Sequence, residues 1–185
     1  MVALILKILV AGIGGTVVVA GVAVVLVLTG SPEACSDRVI RPSPQAIKEL
    51  QNKWDGFKLQ VSTGVAEVKF TETEATSRGI EFLKREGVPL ENLQVFFCRQ
   101  GLAEATATFV GGGPAVDLLV RGTLDIFGDR AKIEIESVQA GNLPGFVPLG
   151  ELLPSFDDEA RTLNLGVNLT SVAFSEERVT LQGGP

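Results

Sequence analysis

"AVDLLVRGTLDIFGDRAKIEIESV", Ala115–Val138, is two alternating runs joined at Gly128-Asp129. Val116, Leu118, Val120, Leu124 and Ile126 share one parity, and Asp117, Arg121, Thr123 and Asp125 share the other. Past the joint, Ile133 and Ile135 alternate with Lys132, Glu134 and Glu136. Successive side chains of a strand face opposite sides, so the stretch predicts a hairpin with one apolar and one polar face. The apolar face covers either a core or a carried molecule.

Toward the N-terminus, Ser43 reads as a helix cap with Pro44 at the first helical position, and Ile47, Leu50 and Trp54 recur at helical spacing up to Gly56. Phe57–Val61 and Val65–Phe70 read as two short strands around Ser62-Thr63-Gly64. "FTETEATSRGIEFLKREG" (Phe70–Gly87) predicts a helix. Thr71 is its cap, Glu72 and Glu74 lie in the first turn, Lys84 and Arg85 in the last, and Gly87 is the stop. Ala75, Gly79, Ile80, Phe82 and Leu83 form its apolar side. Beyond Pro89 the pattern is strand: Leu93, Val95 and Phe97 alternate, then Ala103, Ala105, Ala107 and Phe109 share a face. Those small alanines mean either close helix packing or room for a ligand. "GGGP" (Gly111–Pro114) turns into the quoted hairpin, the prolines of "GNLPGFVPLGELLPSF" (Gly141–Phe156) interrupt it, and the chain closes on a hairpin turning at Ser175–Glu177. The class is α+β: a helix followed by a long antiparallel meander.

The first thirty residues differ from the rest. Ile8–Leu28 is an uncharged run of 21 residues, about 31 Å as a helix against a hydrocarbon core of roughly 30 Å. It exceeds the about 7–15 residues of a secretory signal, so it reads as a retained single-pass membrane anchor, although Gly30-Ser31 leaves cleavage open. The division is an anchor over residues 1–30, a stalk over 31–43 and one domain over 44–185. Arg38, Arg41 and Lys48 after the span oppose export on a strict count, but Glu33 and Asp37 are interleaved with them, and a short tail before one apolar run favours an extracytoplasmic body. Setting Lys7 aside, the body has 15 basic against 22 acidic residues, a net charge of −7. That disfavours nucleic acid as a partner and adhesion to anionic headgroups by charge alone.

Little points to chemistry. The chain has no His and no Tyr, so acid–base work would fall to carboxylates, Lys or Cys. Glu134 and Glu136 could form a carboxylate pair but read as a solvated face, and Asp157–Glu159 lacks the spacing of a calcium loop. Gly12–Gly15 lies within the apolar run and is no phosphate loop, while Ala11 and Gly15 hint at span dimerisation. Asn168-Leu169-Thr170 matches a glycosylation acceptor and reads as chance. Cys35 and Cys98 are the two cysteines: a disulfide between stalk and domain, or two free thiols. No cofactor or metal is expected, the chain does not read as an enzyme, and its oligomeric state stays open.

The single N-terminal span, the "FTETE" helix opening, the meander leading to "IEIESVQAGNLPGFVPLGELL" (Ile133–Leu153) and the close "VAFSEERVTLQG" (Val172–Gly183) resemble the LmeA-like phospholipid-binding proteins and the related YpmS-type anchored proteins of bacterial envelopes. The likeness spans roughly Val65–Gly183 and rests on pattern and order. It implies a TULIP-like half-barrel, a curved sheet wrapping a helix around an apolar interior that takes up acyl chains. The helix of Thr71–Glu86 would then cross the concave side with Ile80 and Leu83 buried. Val95, Phe97 and Phe109 would line the interior with Val116, Leu118, Val120, Leu124, Ile133 and Ile135. The implied function is lipid binding or lipid handling at the cell membrane, with a phospholipid or another acyl-chain lipid as ligand. The alternative is an adaptor domain of an envelope complex whose apolar face is its core.

Overall fold

The computed structural model describes residues 30–110, 115–141 and 162–185. Helix α1 runs from Pro44 to Val61, with the Ser43 hydroxyl accepting the Ala46 N–H as its cap. It does not stop at Gly56, and Phe57–Val61 is its last turn rather than a strand. Leu50, Trp54, Phe57 and Val61 keep the helical spacing and all face the core. Gly56 weakens a helix by about 1 kcal/mol, which that burial outweighs.

Strand β1 (Ala66–Thr71) buries Ala66, Val68 and Phe70 and exposes Glu67 and Lys69. Helix α2 (Glu72–Glu86) begins in a reciprocal capping box between Thr71 and Glu74 and ends at Gly87, whose φ of 65° suits a left-handed stop. Strands β2 (Leu90–Phe97), β3 (Ala103–Phe109), β4 (Val116–Phe127), β5 (Arg130–Ala140) and β6 (Thr162–Asn164) form a five-stranded antiparallel sheet in chain order. Strands β7 (Leu169–Ser175) and β8 (Arg178–Gly183) return to β1 as a separate sheet of order β1-β8-β7. The protein is therefore α+β with two antiparallel sheets and, among the described residues, two α-helices. The expected single meander is divided because β8 pairs with β1 from Ala66↔Gly183 to Thr71↔Arg178.

The main core gathers Phe57 and Val61 of α1, Ala66, Val68 and Phe70 of β1, Leu169 of β7, and Val179 and Leu181 of β8. From the large sheet it takes Phe97 as a buried member, with Val95, Ala103 and Ile126 packed at its margin. The small sheet thus meets the large one at the end where β2 finishes and β4 turns into β5. Phe97 and Phe174 meet there as a tilted ring pair with centroids 5.7 Å apart, and the Leu169 N–H donates to Gly128 O.

Helix α2 is not laid across the face of the meander. It packs against α1, β1 and the free edge of β2. The Thr76 hydroxyl accepts the Val95 N–H at 2.9 Å, and the Glu72 carboxylate accepts the Phe97 N–H at 2.8 Å. An edge strand's unpaired N–H groups need partners, and this helix supplies them.

Residues 31–43 do not stand free of the body. They run as a strap over the polar face of the large sheet, and the Cys35–Cys98 disulfide ties them to the end of β2. Among the described residues no helix is long and apolar enough to cross a membrane, and the Ile8–Leu28 run lies outside them.

Candidate functional site

On the apolar face, the pairing Phe109↔Val116, Ala107↔Leu118↔Ala140, Ala105↔Val120↔Val138 and Leu124↔Ile133 places these residues side by side. At Gly122 the register slips: Arg121 pairs with Ser137 but Gly122 with Ile135, so Glu136 is an extra residue on β5. A Cβ on Gly122 would lie 2.5 Å from Glu134 O, so only glycine admits the bulge. A bulge bends its strand and sharpens the twist. It also turns Val138 onto the same face as Ile135, three residues earlier, and Val138 becomes the centre of a cluster with Val88, Leu90, Phe109, Val120 and Ile135. Val138, Leu90 and Val88 were not foreseen as part of this face. The lone glycine inside an alternating strand was the available signal.

Among the described residues, the eleven positions expected to line an interior fall into separate groups. Leu83, Phe97 and Leu118 are buried, and Ile80, Val95, Phe109, Val116, Val120, Leu124, Ile133 and Ile135 are half-buried. Phe97 belongs to the main core with Val95 packed on it. Ile80 and Leu83 border a cleft of about 610 Å³ along the β2 edge, together with Val88, Leu90, Leu93, Val110 and Lys84. The sheet-face residues and this cleft meet at Val88 and Leu90, which belong to both. Ala105 and Ala107 are half-buried on this face, beside Val120 and Leu118 of β4.

A larger hollow, about 920 Å³, lies on the other side between the strap and the polar face, lined by Gln94, Thr106, Thr108 and Asp117 among others. Buried carboxylates hold the strap there. Glu104 accepts the Cys35 N–H and, at 2.6 Å, the Arg121 guanidinium, which also donates to Glu33 O. Glu72 pairs with Arg38, which also reaches Glu177. The Ser31 hydroxyl donates to Asp117 at 2.6 Å, and the Ile40 N–H to Gln94 at 2.6 Å. The Cys35 and Cys98 sulfurs and a Glu104 carboxylate oxygen lie within 4.8 Å of one another, but the disulfide occupies both sulfurs and Arg121 the carboxylate.

Glu134 and Glu136 are exposed, and Asp157–Glu159, Gly12–Gly15 and the Ala11/Gly15 pair lie outside the described residues. The carboxyls held below their ordinary range belong to exposed pairs: Asp55 by hydrogen bonds from Lys58 and Gln51, Glu67 by Lys69 and Gln182, and Glu176 by Arg99. None of these touches the apolar face. No family model, curated protein or solved structure matches the chain.

Proposed function

We propose that this is a membrane-anchored, extracytoplasmic lipid-handling protein that holds an acyl chain against the apolar face of its five-stranded sheet, without catalysis. One observation carries the reading. The main core draws on the large sheet at its Phe97–Ile126 end, while Phe109, Val116 and Val120, farther along the same face, stay half-buried outside that core. In this reading the sheet is a TULIP-like half-barrel, as the resemblance to LmeA-like proteins implies, closed at one end by α1 and the small sheet. Lipid tails are held by area, at about 0.8 kcal/mol per buried methylene, so six methylenes contribute about 5 kcal/mol and no signature residue is needed.

The test is native mass spectrometry of the full chain released from detergent, beside Val120→Trp. The variant should lose bound phospholipid and keep its melting temperature. In a closed core the same change overpacks and destabilises by about 1–3 kcal/mol. That outcome, with no lipid on the parent, would favour the adaptor reading.

A further inference from the structure

We infer that the strap fixes the body on the bilayer with the Phe109–Val116 end of the large sheet against the lipid surface, so that the apolar face opens directly onto the membrane. This rests on the anchor and lipid-handling reading above, and it adds which end of the sheet the lipid enters.

The argument starts from chain length. The apolar run ends at Leu28, and Ser31, three residues on, is hydrogen-bonded to Asp117. Three extended residues span about 10 Å. The headgroup layer on each side of a bilayer is about 5–8 Å thick. Asp117 therefore sits just above the headgroups. The strap allows no slack beyond that point, because the contacts of Glu33, Cys35 and Arg38 follow within seven residues and one of them is covalent.

Asp117 is the second residue of β4, so the end brought to the membrane is the one opposite the main core. Val116 pairs there with Phe109, and Phe109 with Leu90. The Val110 N–H donates to Pro89 O at 3.0 Å, which binds the segment after α2 to the same end. Val110 is 40% exposed, a large apolar side chain in the open beside exposed Pro89 and Ala115. The cleft bordered by Ile80 and Leu83 also reaches Val110. Both apolar surfaces therefore end where the anchor holds the body down. Glu91 and Asp117 stand at this end, so the contact is made by apolar side chains and needs no anionic lipid.

The opposite end provides the control. Phe127, at the far end of β4, is 60% exposed and roughly 35 Å of strand away from Val116. Since the two native cysteines are bonded to each other, a single introduced cysteine is the only free thiol.

The full chain is reconstituted in phosphatidylcholine vesicles with an environment-sensitive fluorophore on Val110→Cys or on Phe127→Cys, and quenched with headgroup-nitroxide phosphatidylcholine. The Val110 label should be quenched at least twofold more strongly than the Phe127 label. Inserting fifteen Gly/Ser residues between Gly30 and Ser31 should remove that difference while leaving the disulfide in place. Equal quenching of the two labels, stronger quenching at Phe127, or a difference that survives the insertion would overturn the proposal, as would a chain that does not co-sediment with the vesicles. Lipid retention is measured separately on the same proteins by mass spectrometry. Lost retention with the quenching difference intact supports this orientation and counts against lipid holding, whereas equal quenching with lipid still bound overturns the orientation alone.

Discussion

Gly122 has no room for a side chain, because the backbone of Glu134 lies where its Cβ would go. Gly122→Val should therefore shift the urea midpoint by the equivalent of about 1–3 kcal/mol, the usual range for overpacking. An unchanged midpoint would mean that the sheet is not bulged there. The same residue explains why Val138 was invisible to parity counting: alternation assumes two residues per repeat, and one extra residue inverts every later side chain. A second prediction concerns Glu176, whose carboxyl the hydrogen bond from Arg99, and then its charge, hold below the ordinary range. A carboxyl depressed in the folded state adds stability above its unfolded value, about 4.3, and loses it as the pH falls through the folded value. Wild type and Glu176→Gln should differ slightly at pH 7 and converge in acid. A gap that stays constant with pH would contradict the pairing. The pair is fully exposed, so the gap is small.

Among the elements, α2 was legible in its own limits. Thr71, Glu74, Lys84, Arg85 and Gly87 are cap and dipole signals that act within one turn. Its position was not legible, because one apolar side serves equally for crossing a sheet or for flanking its edge. The choice is made by Thr76 and Glu72 reaching the N–H groups of β2, and those groups become available only once β2 and β3 are in register. Leu83 is buried all the same, and Leu83→Asp should unfold the body, since a carboxylate placed there without a partner costs several kcal/mol. Near-wild-type thermal unfolding would make α2 peripheral. The strap was read as a stalk because Pro42 and Pro44 punctuate it, and two cysteines by themselves carry no geometry. Its disulfide joins positions 63 residues apart, so replacing both cysteines by Ser should lower stability by up to about 4 kcal/mol. A change below about 1 kcal/mol in chemical denaturation would show that Glu72 and Glu104 hold the strap without it.

On the scale of the whole molecule, alternation identified the apolar face of the hairpin but not what covers it. Coverage depends on β8 pairing with β1 more than a hundred residues away, which places α1 and the small sheet at the Phe97 end of the large sheet. Residues farther along the same face carry the same pattern in the sequence but lie outside that core, clustered around Val138. The claim that they hold an acyl chain is tested most directly by photo-crosslinking. The full chain is placed in vesicles containing phosphatidylcholine with a diazirine midway along one acyl chain, irradiated, and its adducts are mapped on peptides. The account predicts adducts within Val116–Phe127 and Arg130–Ala140, at inward positions such as Val120 and Ile135, in addition to those on the Ile8–Leu28 run. Adducts confined to that run would contradict it.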